Sequence, residues 1–220
     1  MTRDTAVHVL PQTNLLRSFH AMIRDRNAAQ EDFVFYSNRL IRRLLETGLE
    51  LLPFEPRAVT TPVGAVYDGL KLAATLCAVP VIRAGESMEG ELRAMMPGLK
   101  VGKILIQRDR KSKLPKLFYS HLPDDIGDRH VFLLEPMLAT GGSALAAIRV
   151  LLEAGVPERN IIFINLLASP VGLERVTTAH PDLRIVTSSV EAELNEHAFM
   201  VPGIGDFGDR YFGTVDSGAR

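Results

Sequence analysis

The stretch VFLLEPMLATGGS, residues 131–143, decides the fold that we predict for this chain. It opens with four apolar residues, 131–134, and Pro136 follows soon after, so a buried parallel strand fits better than a helix. Residues 144–154 place their larger apolar side chains on one helical face, and Gly155 supplies a C-terminal stop. The sequence therefore predicts a strand, a glycine turn and a helix in immediate succession.

The turn between that strand and helix, Thr140-Gly141-Gly142-Ser143, is a candidate anion site. Backbone N–H groups at a helix start lack intrahelical acceptors, the helix dipole favours negative charge there, and glycine lets a phosphate approach closely. The two hydroxyl groups add further donors. On this pattern alone, an ordinary strand-to-helix connection that binds nothing remains open.

Composition and charge limit the classes of protein to consider. The 220 residues suffice for one well-buried domain, and 46% apolar with 23% charged residues is typical of a folded globular protein. A formal net charge of -1 gives no general attraction to nucleic acid or anionic membranes, so any anion site must be built locally. The six histidines show no close zinc spacing, and a structural role is favoured for each.

The sequence gives no sign of a membrane or secreted protein. Cys77 is the only cysteine, which excludes an internal disulfide and a cysteine-based metal cluster. The first residues lack the apolar core of a signal peptide, and the longest apolar stretch, 70–82, is shorter than the ~20 residues that span a bilayer. We expect a cytoplasmic protein with no nucleic-acid partner and no membrane partner.

Strands alternate with helices along the chain, which predicts a mostly parallel α/β sheet. The proline-rich segment 52–64 is expected to be a loop with at most one short strand at 58–61. The other expected strands are 7–10, 76–82, 101–107, 161–168 and 183–188, and the other expected helices are one capped by Thr13 or Asn14, 30–52, 88–96 and 170–179.

Two groups of basic residues allow more than one interpretation. The segment RDRKSKLPKLFY, residues 108–119, predicts a mobile hairpin arm, although a solvated loop fits its composition equally well. Arg39, Arg42 and Arg43 lie on a predicted helix, where a solvated polar face is favoured over a regulatory anion site.

Near the C-terminus, residues 203–208 read GIGDFG and match the GxGxxG pattern of dinucleotide-binding proteins. That motif requires a preceding strand, a following helix and a second strand about 20 residues further on, whereas only twelve residues follow Gly208. We therefore interpret the segment as a glycine-rich loop with exposed backbone donors and acceptors.

Four separated segments stand out along the chain: VIRAGESM (81–88), IQRD (106–109), EPMLATGGS (135–143) and VPGIGDFGDR (201–210). Taken in order, they resemble uracil phosphoribosyltransferases. The likeness begins near residues 10–14 and runs nearly to the end of the chain. The segments RAGESM and KILIQRD are more similar to the eukaryotic branch of the family than to the commonest bacterial one.

The resemblance implies a type I phosphoribosyltransferase fold, with residues 1–220 as a single domain. Its features are a mostly parallel central sheet flanked by helices, a protruding β-hairpin arm at about 108–120 and a small hood at about 189–214. The implied reaction is pyrimidine salvage: uracil and 5-phospho-α-D-ribose 1-diphosphate (PRPP) give UMP and diphosphate. Mg²⁺ would be carried by PRPP, with no metal site of the protein's own. A homodimer or homotetramer is implied, and GTP or another nucleotide is a candidate allosteric effector.

The resemblance also assigns roles to residues. Loss of diphosphate leaves positive charge on the ribose and needs no enzyme nucleophile, so electrostatic preorganisation and exclusion of water are expected to supply catalysis. Arg108 and Asp206 are the expected catalytic residues, and a non-proline cis peptide is expected within Ile82-Arg83-Ala84. The expected PRPP-binding residues are Arg83 and Arg108 at the diphosphate, Glu135 at the ribose hydroxyls, the loop Ala139, Thr140, Gly141, Gly142 and Ser143 at the 5′-phosphate, and also Pro136, Met137, Leu138 and Asp206. The expected uracil-binding residues are Met200, Gly205, Asp206 and Phe207.

Two departures from the family pattern are visible. Glu135 stands where the family usually carries aspartate, and Arg110-Lys111 stands where it often carries acidic residues. The alternative function is a catalytically silent homologue that binds PRPP or a nucleotide as a regulator. Intact Arg83, Arg108 and Asp206 favour the active enzyme.

Overall fold

The computed structural model describes residues 6–108 and 115–214, with only the backbone of Arg108. The strands are β1 (Val7–Val9), β2 (Phe54–Thr60), β3 (Val66–Leu72), β4 (Leu76–Ile82), β5 (Lys100–Val101), β6 (Lys103–Arg108), β7 (Pro115–His121), β8 (His130–Leu134), β9 (Met137–Leu138), β10 (Ile161–Ala168), β11 (Arg184–Val190), β12 (Glu193–Leu194) and β13 (Met200–Val201). The helices are α1 (Asn14–Arg24), α2 (Gln30–Glu50), α3 (Glu86–Met95), α4 (Gly142–Glu153), α5 (Pro170–Ala179) and α6 (Phe207–Phe212). Within those two ranges, no helix combines the length and the apolar character that a membrane crossing requires.

Within the described residues, nine strands form one mostly parallel sheet, as the sequence predicts. The order is β1-β11-β10-β8-β4-β6-β7, with β5 beside β4 and β9 beside β10. Every pairing in this sheet is parallel except that of β6 with β7. The β6–β7 pair coincides with the expected hairpin arm, whose connecting residues 109–114, with the departure at Arg110-Lys111, lie outside the described residues.

The central strands β4, β8 and β10 are covered on both faces. Phe132 belongs to one apolar cluster with Leu44 of α2, whereas its neighbour Val131 belongs to a second cluster with Ile148 of α4. All eight residues of β10 are buried. A strand buried on both faces needs apolar residues at successive positions, which explains why these strands read as continuous apolar runs.

Local signals set the starts of the helices. Thr13 caps α1, because its hydroxyl oxygen accepts the Leu16 N–H at 3.2 Å. Ser169 caps α5 in the same way by accepting the Gly172 N–H at 2.9 Å, and Pro170 is the first residue of that helix. Both starts agree with the sequence prediction.

The prediction for segment 52–64, a loop with at most one short strand at 58–61, is too low in strand content, because β2 covers seven residues there and pairs with β3, for which no strand was predicted. β2 and β3 form an antiparallel hairpin in which Phe54 pairs with Leu72 and Thr60 pairs with Val66. Every residue of β2 is exposed. The prolines were misleading, because both strands of a two-stranded ribbon are edge strands, where a proline such as Pro56 is tolerated.

His20 of α1 is a buried polar residue at the contact between α1 and the sheet. Its Nε2 lies 3.1 Å from the hydroxyl oxygen of Ser188 on β11, and that hydroxyl donates to the Leu166 carbonyl at 2.6 Å. The single hydroxyl proton is thereby used, so Nε2–H of His20 is the donor to Ser188. Burial, aided by the Arg24 charge and opposed by Glu191, lowers the pKa of His20 to about 4.

We predict that the free energy of unfolding falls as pH decreases from 6.5 to about 4. In this interval the unfolded chain protonates His20 while the native state does not, so stability is highest above pH 6.5 and decreases by up to about 3 kcal/mol. Urea denaturation of wild type and His20→Gln at pH 7, 5.5 and 4.5 measures this. Other titratable groups contribute to the pH dependence of stability in both proteins. Equal slopes of the free energy of unfolding against pH in wild type and His20→Gln would therefore contradict the prediction.

Candidate active site

A cleft of about 930 Å³ opens at the carboxyl ends of β4 and β6. The site that open α/β sheets use for ligands is this edge, and the volume is within the range of small-molecule pockets. Residues 198–208, which we call the C-terminal loop, form the opposite wall. The residues expected from the sequence that line the cleft are Arg83, Met137, Ala139, Met200, Gly205, Asp206 and Phe207.

Arg83 follows β4 directly and is a cation of the cleft. The peptide Ile82–Arg83 is cis, as the resemblance led us to expect. Its guanidinium donates to Asp209 Oδ1 at 2.7 Å and to Thr214 Oγ1 at 2.9 Å, and lies 5.6 Å from the centroid of the Phe212 ring. Because 44% of the Arg83 side chain is still exposed, the charge is oriented by the C-terminal residues and remains accessible from the cleft.

The first two residues of the segment 139–143, which we call the α4 loop, turn their carbonyl groups towards the start of α5. The Ala139 carbonyl accepts from the Ser169 hydroxyl at 2.5 Å, and the Thr140 carbonyl accepts from Arg175 at 3.2 Å. In a trans peptide the N–H of the next residue points opposite to the carbonyl, so the N–H groups of Thr140 and Gly141 point away from α5. These donors and the first-turn N–H groups of α4 lie where the sequence predicts an anion cradle, and binding of an anion there stays a prediction.

Gly141 gives the α4 loop its shape. It precedes the first residue of α4 with φ of 77°, a left-handed conformation that favours glycine. The next residue, Gly142, lies beside the hairpin, since a methyl group added there would be 3.7 Å from Pro115 of β7. The start of α4 is therefore bordered by the β6–β7 pair.

The other described residues expected at PRPP, residues 140–143 included, lie outside the lining of the cleft. The Pro136 carbonyl accepts the N–H groups of Leu166 and Leu167, and the Glu135 N–H donates to Ile164. The side chains of Pro136 and Leu138 are buried, and Glu135 is partly buried. This segment is thus fixed to β10 by its backbone and holds the α4 loop that follows it.

The C-terminal loop supplies an apolar wall and one exposed carboxylate. Phe207 is only 2% exposed, and its ring packs 5.5 Å from Phe33 and 5.4 Å from Tyr211, centroid to centroid. Met200 is also buried. Asp206 is exposed and caps α6, where its Oδ1 accepts the Asp209 N–H at 2.9 Å.

Several cleft residues were not identified from the sequence. Gln107 immediately precedes Arg108, whose backbone ends β6 opposite Pro115 and whose side chain lies outside the described residues. Ala198, Phe199, Gly203 and Ile204 surround the expected uracil-binding residues in the same loop. The signal that could have found them is continuity, because a glycine-rich loop that lines a cleft contributes neighbouring backbone groups as well.

Comparison with known proteins gives consistent matches over most of the chain. The family model described as uracil phosphoribosyltransferase matches residues 9–214. A uracil phosphoribosyltransferase of Dictyostelium discoideum is 51% identical over 216 residues, which cover 98% of this chain and 100% of that protein. The solved structure of the AQ2163 protein from Aquifex aeolicus has a TM-score of 0.83 at 26% identity, covering 96% of this chain and 99% of that chain.

A more distant structure shares the fold. APRTase from Giardia lamblia, solved with 9-deazaadenine, has a TM-score of 0.52 at 16% identity and covers 74% of this chain and 85% of that chain. At this level of identity the similarity concerns the fold alone. It agrees with the mostly parallel sheet and flanking helices described above.

We predict that Gly141→Ala weakens the binding of inorganic phosphate, whereas Gly155→Ala does not. Both glycines have positive φ, 77° and 87°, at opposite ends of α4. Alanine should therefore destabilise both variants similarly, by roughly 1–2 kcal/mol. Phosphate titration by calorimetry, with the melting temperature of each variant, separates the two effects. Equal phosphate affinity in the two variants would remove the α4 loop from the site.

Proposed function

The chain belongs to the uracil phosphoribosyltransferase family, and from that premise we propose that the cleft converts uracil and PRPP to UMP and diphosphate. The enzyme is a pentosyltransferase of pyrimidine salvage. The observation that carries the assignment of this reaction to the cleft is its composition. An accessible arginine and a glycine-rich loop line the cleft at the carboxyl edge of one parallel sheet, and the α4 loop, whose first residue Ala139 also lines it, leads from there to the start of α4.

PRPP is proposed to lie between the α4 loop and Arg83. The 5′-phosphate would accept N–H groups and hydroxyls of residues 139–143, and the diphosphate would meet Arg83 and Arg108. Support comes from Arg83, whose guanidinium is already oriented by Asp209 and Thr214 while 44% of its side chain is exposed. Glu135, at the end of β8, is assigned to the ribose hydroxyls.

Uracil is proposed to lie against the C-terminal loop. Met200 and Phe207 provide apolar surface for the ring, and the backbone of Gly205 and Asp206 provides hydrogen-bonding groups for its edge. A site of fixed donors and acceptors discriminates strongly, because a wrong base leaves buried polar groups unpaired.

Catalysis is proposed to be mainly electrostatic. As the bond between C1 of the ribose and the diphosphate breaks, the guanidinium groups of Arg83 and Arg108 stabilise the negative charge that leaves. Asp206 is proposed to accept the N1 proton of uracil, since its Oδ1 is fixed by the α6 cap and Oδ2 makes no hydrogen bond within the described residues. An orienting role for Asp206 without proton transfer is the alternative.

Mg²⁺ is proposed to enter the site with PRPP. Among the described residues that line the cleft, Glu86 and Asp206 carry carboxylates, and Glu86 is already paired with Lys103 at 2.6 Å. A single available carboxylate suits Mg²⁺, which keeps its waters and binds through substrate phosphates with few protein ligands. The ion would be held by the substrate phosphates and waters, without a ligand from the protein, and it would neutralise charge on the diphosphate.

The oligomeric state, the cellular location and the regulation of the protein are further proposals. We propose that residues 1–220 form a single phosphoribosyltransferase domain that works in the cytoplasm as a homodimer or homotetramer. The β2–β3 hairpin supports assembly, because it exposes Val66, Tyr67 and Leu70 on a two-stranded ribbon that is marginal in water on its own. GTP or another nucleotide as an allosteric effector stays a prediction.

The function is tested by diphosphate release from PRPP when bases are added, with and without Mg²⁺. We expect kcat/KM for uracil to exceed that for cytosine and hypoxanthine by about 10⁴. Comparable values for uracil and hypoxanthine would refute the assignment. Tight PRPP binding without diphosphate release would instead support the catalytically silent regulator.

Asp206→Asn should lower kcat by about 10²-fold or more if Asp206 accepts the N1 proton. The fold should be retained, because asparagine caps a helix as well as aspartate does. Steady-state kinetics measure kcat, and the melting temperature reports on the fold. Asp128→Asn, at the amino end of β8, is the control. Full activity of Asp206→Asn would exclude the proton-accepting role and leave the orienting one.

A further inference from the structure

A buried ion pair outside the cleft holds the backbone of the C-terminal loop. Arg24 of α1 donates to both carboxylate oxygens of Glu191, at 2.8 and 2.7 Å, and Glu191 is 3% exposed. Glu191 also accepts the Gly203 N–H at 2.7 Å, and Arg24 donates to the Gly203 carbonyl at 3.0 Å. One ion pair thus binds both backbone polar groups of a single residue in the loop.

Gly203 has no side chain, so its neighbours can hold it in place only through its backbone groups. Its φ is 63°, and a methyl group added there would lie 2.1 Å from the Met200 carbonyl oxygen. The loop therefore folds tightly back on Met200, which is proposed to contact the base. A shift of Gly203 would move Met200, because the two backbones are in direct contact.

A second arginine attaches the next residue of the loop to the same place. Arg210 donates to the Ile204 carbonyl at 2.9 Å and to the carbonyls of Ile23 and Asp25 at 2.6 and 2.7 Å. Its guanidinium lies 4.2 Å from the centroid of the Phe33 ring. The loop is therefore fastened at Gly203 and Ile204 to the C-terminal end of α1.

The ion pair is better explained by a role in positioning the C-terminal loop than by a contribution to the stability of the fold. Desolvation cancels much of the attraction between two buried charges, so such a pair adds little stability compared with apolar residues of similar size. Although burial alone would raise it, hydrogen bonds from Arg24 and Gly203 keep the pKa of Glu191 below its ordinary value. His20, the nearby titratable group, has its pKa lowered to about 4, so at neutral pH it adds no charge beside the pair.

We infer that Arg24 and Glu191 are positioning residues for uracil. They fix the backbone of the C-terminal loop, which is proposed to recognise the base. This inference rests on the proposed function. Neither side chain lines the cleft, so neither is expected to contact substrate. Displacement of a recognition element by about 1 Å can cost 10²-fold in rate, so a loosened loop should weaken uracil binding before it affects PRPP.

The test uses the double variant Arg24→Met/Glu191→Leu, which removes both charges and leaves neither one buried alone. We expect the KM for uracil to rise at least about tenfold and the KM for PRPP to stay within about twofold. The melting temperature should fall modestly, because the buried Gly203 N–H and carbonyl lose these partners. Arg24→Lys, which keeps the charge but not the forked donor, should show a smaller rise in the same KM. Asp125→Asn, which loses an ion pair with Arg129 at the amino end of β8, is the control and should leave both KM values unchanged.

The outcomes separate the inference from the function beneath it. A wild type that releases no diphosphate with uracil overturns the proposed function and the inference with it. If wild type is active, equal rises in both KM values, or a lower melting temperature with unchanged KM values, overturns the positioning role alone. If the double variant does not fold, the ratio of the two KM values in Arg24→Lys decides the question.

Discussion

The parallel pairing of β8 with a buried strand on each side is the constraint on which the site depends. Leu133 is in register with Val79 of β4 and with Phe163 of β10, so β8 cannot shift without breaking two ladders. A shift by one residue would also turn every side chain to the opposite face of the sheet. Because the strands run in the same direction, their carboxyl ends meet at one edge. Arg83 and the segment that leads to the α4 loop are neighbours for that reason.

Two ion pairs near the site show how solvent exposure changes what a charge does. Arg83 is paired with Asp209, yet much of its side chain is in contact with solvent, so an incoming anion can reach it. Arg24 is paired with Glu191, whose side chain is 1% exposed, and three of its hydrogen bonds go to the carboxylate and to the Gly203 carbonyl. In the first case the arginine is available to bind a substrate anion. In the second case it holds the backbone of the C-terminal loop. The amino-acid type alone does not distinguish these uses.

The sequence predicts those parts of the structure that depend on neighbouring residues. Continuous apolar runs identify β4, β8 and β10, and the caps Thr13 and Ser169 identify two helix starts. The sequence does not reveal the hairpin of β2 and β3, because its prolines resemble breaks although an edge strand tolerates them. The attachment of Gly203 to Arg24 was also missed. No local pattern records a contact between residues far apart in the chain, and the glycine has no side chain that would draw attention to it.

The attachment of the C-terminal loop to α1 also bears on the order in which the molecule forms. Arg24 and Gly203 are 179 residues apart, and Arg210 and Ile23 are 187 apart. Contacts of such long sequence separation cannot form until the second partner has been synthesised, and non-local contacts slow folding. During synthesis at about 5–20 residues per second, β4, β8 and β10 are complete well before residue 203 is added. A nascent chain would therefore contain the central strands and the α4 loop before it contains the C-terminal loop, which is proposed to recognise uracil.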